Sequence, residues 1–242
     1  MDTMRTAHKK AADRPGVTVF QKHADRYDAW FDTARGWALF ESEAQCLRRV
    51  SRGLPRPWLE VGVGTGRFAE ALGIDVGVDP AARMLTGAAA RSVRVAEALG
   101  NALPFGDGSF GTVFIIVTIC FADDPAGMIL EARRVLTNGG AVVLGIVPAE
   151  GPWGEFYRAK AKRGHRFYSE ARFFSPDELG RLAHKAGLHL RGAACTLLQN
   201  PQDEVVLVEP ARDGAQRKAG FVSLVYGDQS DSHAGGIGAE AP

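Results

Sequence analysis

LEVGVGTGRFAEALG, residues 59–73, joins an apolar run to a segment whose apolar residues recur at helical spacing. Three glycines, Gly62, Gly64 and Gly66, stand at the junction. A strand that enters a helix through glycines offers bare backbone to an anionic or strongly polar ligand at the helix N-terminus. The dinucleotide fingerprint spaces its glycines G-x-G-x-x-G. Here the third glycine comes one residue early, and position 67 is Arg. Glu60 adds a carboxylate that repels a pyrophosphate at close range but pairs with an ammonium group. Both features disfavour a nicotinamide dinucleotide, and with it an NAD-dependent oxidoreductase.

Moving outward, IDVGVD at 74–79 ends in Asp79, an acid at a strand tip where a ribose diol can donate to it. Further apolar runs follow at 92–98, 110–119 and 140–147, with helix-like segments at 65–72, 81–90 and from Asp124 between them. The NGG at 138–140 is expected to stop the last helix. Strands apolar on both faces and alternating with helices indicate a parallel sheet covered on both sides. Downstream, SPDELGRLAHKAG at 175–187 reads as a helix with Ser175 as N-cap and Gly187 at its C-terminal end. LHLRGAACTLL (188–198) and GFVSLVYG (220–227) then read as an antiparallel pair at the sheet edge. Upstream, residues 18–52 have a helical pattern, with Tyr27, Trp30 and Phe31 at i, i+3, i+4 and a break expected at Gly36.

Composition narrows the class. The chain has 242 residues, 45% hydrophobic and 24% charged, ordinary values for a globular domain. A net charge of +1 gives no reason to expect nucleic acid as a partner. No apolar run approaches the roughly 20 residues of a membrane helix, and residues 1–16 lack the apolar centre of a secretory signal. The expected location is the cytoplasm, without membrane association. Cys46, Cys120 and Cys195 are widely separated, so neither a metal site nor a disulfide framework is expected.

Taken in order, LEVGVGTG (59–66), GVDPAARML (77–85), ALPFGDGSFGTVF (102–114) and EARRVLTNGGAVVL (131–144) resemble the motifs of the class I S-adenosylmethionine-dependent methyltransferases. YDAWF (27–31), followed by Glu41, is similar to a small-molecule subgroup of the methyltransferase type 11 kind. The resemblance implies an α/β, Rossmann-like, seven-stranded, mostly parallel sheet with helices on both faces, an antiparallel strand at the edge and an N-terminal helical lid. It implies S-adenosylmethionine as cofactor, S-adenosylhomocysteine as product and a small-molecule acceptor. Glu60 and the backbone at Gly62, Gly64, Thr65 and Gly66 would hold the methionine part. Asp79 would take the ribose, and Pro80 and Met84 would pack near adenine. The family's usual acid at the adenine edge is replaced by Leu99, which leaves Gly100 and Asn101, or Glu97 if the loop is shifted, for that contact. Thr118, Cys120 and Phe121 leave the fourth strand near the reactive methyl.

The expected organisation is a disordered N-terminus (1–16), one domain (17–226) and a disordered tail (227–242). Within the domain, residues 17–54 form a helical cap, 55–147 the cofactor-binding core, 148–175 a cover over the acceptor, and 176–226 a helix and strands. The cover mixes aromatic and basic residues, which suggests an acidic or electron-rich acceptor. A base is needed only for a protonated acceptor, and the candidates are His165, Tyr168 and Tyr27. Competing readings are a nucleic-acid methyltransferase, a catalytically silent cofactor-binding module, and a thiophilic acceptor held by the three cysteines. TICF (118–121) stands where base-methylating enzymes carry an Asn/Asp-Pro-Pro-aromatic tetrad, which weakens the first of these.

Overall fold

The computed structural model describes residues 15–228. Two helices, α1 (Pro15–Trp30) and α2 (Ala34–Ser51), precede the sheet. Then come β1 (Trp58–Val61), α3 (Arg67–Leu72), β2 (Val76–Asp79), α4 (Ala82–Ala90), β3 (Arg94–Glu97), β4 (Phe110–Ile116), α5 (Pro125–Val135) and β5 (Leu136–Ile146). The chain closes with α6 (Pro152–Lys162), α7 (Pro176–Lys185), β6 (His189–Thr196), β7 (Arg212–Asp213) and β8 (Phe221–Gly227). The strand order is β3-β2-β1-β4-β5-β8-β6-β7, and the first five are parallel.

Alternation along the strands sends successive side chains to opposite faces, so each face has its own core. Val113 and Ile115 of β4 join Leu59, Met128, Leu144 and Leu179. Phe114 and Ile116 join Leu39, Leu47, Phe68 and Trp153 on the other side. Every residue of β4 and β8 is buried, as expected for central strands. All the parallel strands end at the edge where β1 meets the glycine loop, and that edge carries the site.

The structure departs from the sequence expectations in four places. There are eight strands, the extra one being the two-residue β7. β8 is not at the edge: it runs antiparallel between β5 and β6 and pairs with both. The break between α1 and α2 falls at residues 31–33, where Thr33 caps α2 by accepting from the Gly36 amide at 3.0 Å. Gly36 lies inside α2, under the Trp30 carbonyl, where a Cβ would collide. α5 ends at Val135, and the NGG belongs to β5. There Gly139 has φ +74° and the β4–β5 register shifts, so these glycines form a bulge rather than a helix stop.

At the chain ends, Pro15 and Gly16 are helical, Gly227 belongs to β8, and Asp228 forms an ion pair with Arg133 at 2.8 Å. These correct the expected disorder boundaries at 16 and 227. The rest of both expected tails, 1–14 and 229–242, lies outside the described residues.

Candidate cofactor and acceptor site

The glycine loop is held by the strand beside it. The amides of Gly62 and Val63 both donate to the Val78 carbonyl, at 2.7 and 2.9 Å, and the Gly64 amide donates to Asp79 Oδ2 at 3.0 Å. Asp79 Oδ1 accepts from the Ala81 amide at 2.9 Å. The loop and the acid of β2 are thus one rigid unit. Gly62 (φ +77°) leaves no room for a Cβ, because the Thr118 side chain fills that space. Thr118 in turn donates to the Gly62 carbonyl at 3.1 Å and ties the β4 exit to the loop. Val117, just before it, has φ +49°, a left-handed conformation that costs a β-branched residue energy and that collects at functional sites.

Two carboxylates face this loop. Glu60 is 2% exposed, and its Oε2 has no hydrogen-bond partner. Burial, reinforced by the charge of Asp79, pushes its carboxyl well above the usual range. Asp79 is raised by burial to about 6, a shift held in check by the Ala81 and Gly64 amides. An unpartnered buried carboxylate is a costly feature in a folded chain and marks a place made for a positively charged group.

Ten of the eleven residues expected at the cofactor border one cavity: Glu60, Gly62, Gly64, Thr65, Asp79, Pro80, Met84, Gly100, Asn101 and Thr118. It encloses about 1100 Å³, part of it open to solvent. The eleventh, Gly66, is not on its wall. A Cβ there would meet Ala88 Cα at 2.8 Å, so Gly66 serves the packing of the loop on α4. Leu99 borders the cavity, whereas Glu97 is exposed at the end of β3 and does not. Asp124 accepts from the Gly127 amide at 2.8 Å and caps α5, with Pro125 following it.

α1 roofs the cavity through Gly16, Val17, Phe20 and Tyr27. It is pinned by Asp28, which accepts from Thr65 Oγ1 at 2.6 Å, from Arg67 Nε and Nη2 at 2.9 Å, and from Arg91 Nη2 at 2.9 Å. Burial opposes ionisation of Asp28, but these hydrogen bonds from Arg67, Thr65 and Arg91 outweigh it and hold the carboxyl at about 2. Farther along, Asp25 pairs with Arg83 at 2.5 Å.

Residues 148–175 lie against α1 and the β4 exit. Phe167 stacks on Phe20 at 5.3 Å and meets Tyr27 at 5.9 Å. The Arg172 amide donates to the Cys120 carbonyl at 2.7 Å. Tyr157 and Tyr168 touch at 4.5 Å between ring centroids, and His165 stacks on Tyr168 at 4.4 Å. Of the three candidate bases, Tyr27 borders this cavity, and His165 and Tyr168 do not. Burial lowers the His165 pKa, helped by Lys160, Arg26 and Arg166, which favours the neutral ring. The basic side chains Arg158, Lys162, Arg163, Arg166 and Arg172 are exposed, while Trp153, Tyr157 and Phe174 are buried. The basic excess is therefore an outer surface and says nothing about an acidic acceptor. Cys46 and Cys195 are buried and Cys120 is half-buried, each as a free thiol.

Three features carried no local signal in the sequence. These are the Asp28 pin with its two arginines, the strained Val117, and Glu43 of α2. Burial alone lifts the Glu43 carboxyl to about 8.

Comparisons with known proteins agree with this architecture. Residues 59–144 match the family described as a methyltransferase domain. An uncharacterised protein of Mycobacterium tuberculosis H37Rv is 40% identical over 216 residues, covering 89% of this chain and 76% of its own. An uncharacterised protein of Methanocaldococcus jannaschii is 35% identical over 211 residues, covering 86% and 98%. A crystal structure from Thermotoga maritima is described as a SAM-dependent methyltransferase and possible histamine N-methyltransferase. It matches with a TM-score of 0.80 and 36% identity, over 88% of this chain and all of that one. The glycine loop, the acid at the tip of β2, the sheet order and these relatives together make the chain a member of the class I S-adenosylmethionine-dependent methyltransferases, and an enzyme of that class.

Proposed function

We propose that the protein transfers a methyl group from S-adenosylmethionine to a small-molecule acceptor by in-line displacement, with the cofactor in the cavity beneath α1. The observation that carries this reading is the unpartnered Glu60 carboxylate beside the glycine loop, one strand away from Asp79. It fits the α-ammonium of the methionine end, with Gly62, Gly64 and Thr65 alongside. Asp79 keeps lone pairs free for the two ribose hydroxyls. Pro80 and Met84 flank the adenine, and Gly100 and Asn101 lie at its edge in place of the acid the family often has. Gly66 acts through packing, as described above.

Bound there, the cofactor supplies a sulfonium methyl already activated for transfer. The protein's work is alignment and the exclusion of water. Phe20, Tyr27 and Phe121 form an apolar front beside the loop, and the pinned α1 closes over it. Thr118 sits at the β4 exit, where the acceptor must approach. We place a helical cap at 17–54, the cofactor-binding core at 55–147, the acceptor cover at 148–175 and a closing helix and strands at 176–226, all in one domain. The T. maritima relative's description names a small amine, which supports a small-molecule acceptor here. The near-neutral charge supports the same choice over nucleic acid. Among the described residues no helix is long and apolar enough to cross a membrane, and we assign the enzyme to the cytoplasm.

Calorimetry with S-adenosylhomocysteine, and transfer of labelled methyl into a fractionated metabolite extract, test the reading. Binding of the product and label in a low-molecular-weight fraction are expected. Folded protein that ignores donor and product at millimolar concentration would overturn it. Product binding without any transfer would instead favour a silent cofactor-binding module.

A further inference from the structure

Three aromatic rings meet on the wall of the cavity beneath α1: Phe20 and Tyr27 of α1, and Phe121 beyond β4. Their placement brackets the loop and the β4 exit. Tyr27 lies over the glycine loop, its ring Cε1 3.8 Å from where a Gly64 Cβ would stand. The Phe121 amide donates to the Thr118 carbonyl at 2.9 Å, so that ring stands one tight turn past the end of β4. Phe20 spans the two, its centroid 5.6 Å from Tyr27 and 5.0 Å from Phe121. Phe167 stacks on Phe20 at 5.3 Å but does not border the cavity, so it holds Phe20 from behind.

The angles decide what these rings can hold. Phe20 is nearly perpendicular to both neighbours, at 85° to Tyr27 and 84° to Phe121. Rings set at right angles make a corner, whereas rings stacked face on face would close against one another. A flat ring entering such a corner gains edge-to-face and offset contacts beyond the area it buries. A saturated ring of the same size gains the area alone. Ring faces also attract cations. Here, however, the donor's own sulfonium would stand beside the corner, and a second positive charge would be repelled. The corner therefore suits a ring without charge.

We propose that Phe20, Tyr27 and Phe121 form the acceptor subsite, that the acceptor presents a neutral planar aromatic ring to it, and that Phe20 selects for that ring. This rests on the methyl donor occupying the rest of the cavity, as proposed above. Phe20 is the selecting residue because it alone touches both other rings at right angles and is held in place by a fourth.

The test uses the full-length protein, with each variant first saturated with S-adenosylhomocysteine by calorimetric titration. Failure to saturate would sink the donor reading and this proposal with it; once saturation is reached, the ring preference is read alone. The probes are 2-naphthol and its saturated counterpart decahydro-2-naphthol, with tetramethylammonium as the cation. In wild type 2-naphthol should bind about threefold to tenfold more tightly than the saturated alcohol. Phe20→Leu should bring the two alcohols to within about twofold of each other, and Phe20→Tyr should restore the preference. A merely structural role for Phe20 would weaken both alcohols alike and leave their ratio unmoved, which would overturn the proposal. So would equal binding in wild type, no 2-naphthol binding at millimolar concentration, or tetramethylammonium binding more tightly than 2-naphthol.

Discussion

Replacing Asp28 with Asn should loosen α1 without disturbing the sheet. The wild-type carboxylate sits on Thr65, Arg67 and Arg91, and these hold it at about 2 against an ordinary 3.8. That difference corresponds to about 2 kcal/mol favouring the charged, docked state. The folded value is depressed, so this stabilisation is fully present above about pH 4 and is lost as the pH falls through about 2. A neutral amide of the same shape gives up most of it at any pH. Two kcal/mol is roughly a thirtyfold change in an opening equilibrium. Hydrogen exchange at pH 7 should therefore quicken about thirtyfold for the amides of α1, residues 16–30, and hardly at all for β4 and β5. Exchange of α1 unchanged, or quickened equally across the central strands, would refute the idea that Asp28 is a local pin.

Three further outcomes follow from the same site. Glu60→Gln should raise the melting temperature of the ligand-free protein by about 2–4 °C, because a buried carboxyl without a partner is removed. It should also weaken S-adenosylhomocysteine binding roughly tenfold to a hundredfold, and calorimetry on the two proteins reads both effects. Affinity for the same product should fall as the pH drops through about 6, because Asp79 has a raised pKa and its ionised form, which we propose accepts from the ribose, persists only above that value. In Asp79→Asn the part of that dependence centred near pH 6 should be absent, leaving whatever Glu60 contributes. Gly62→Ala should cost about 2 kcal/mol or more in denaturant unfolding, since its φ of +77° and the Thr118 side chain both oppose a Cβ. Adding Thr118→Ala should recover part of the loss but not the backbone share.

Most of the scaffold was legible because it is written locally. Each parallel strand is a short apolar run, each helix has its spacing and caps, and Ser175 with Glu178 forms a reciprocal cap evident in the residue types. Glu60 and Asp79 stood out because their positions are fixed relative to the glycines. What escaped depends on contacts across long separations. Asp28 meets Arg67 and Arg91 from 39 and 63 residues away. β8 pairs between β5 and β6 because its burial requires partners on both sides, and its sequence looks the same whether it lies at an edge or inside. The NGG reads as a helix stop by residue type alone. Only the facing strand, with its own Gly111 carbonyl 2.8 Å from where a Gly140 Cβ would be, reveals a bulge.

The position of β8 also sets a timetable for synthesis. A growing chain that has emerged only through residue 220 has made β5 and β6 but not the strand that bridges them, so both present unsatisfied ladder edges. The nucleotide-facing half of the sheet can assemble early on the ribosome. The far half must wait for residues 221–227 and is exposed to sticking until they arrive. Translation that pauses in the stretch just before Phe221 should therefore lower the yield of soluble enzyme more than an equal pause anywhere upstream.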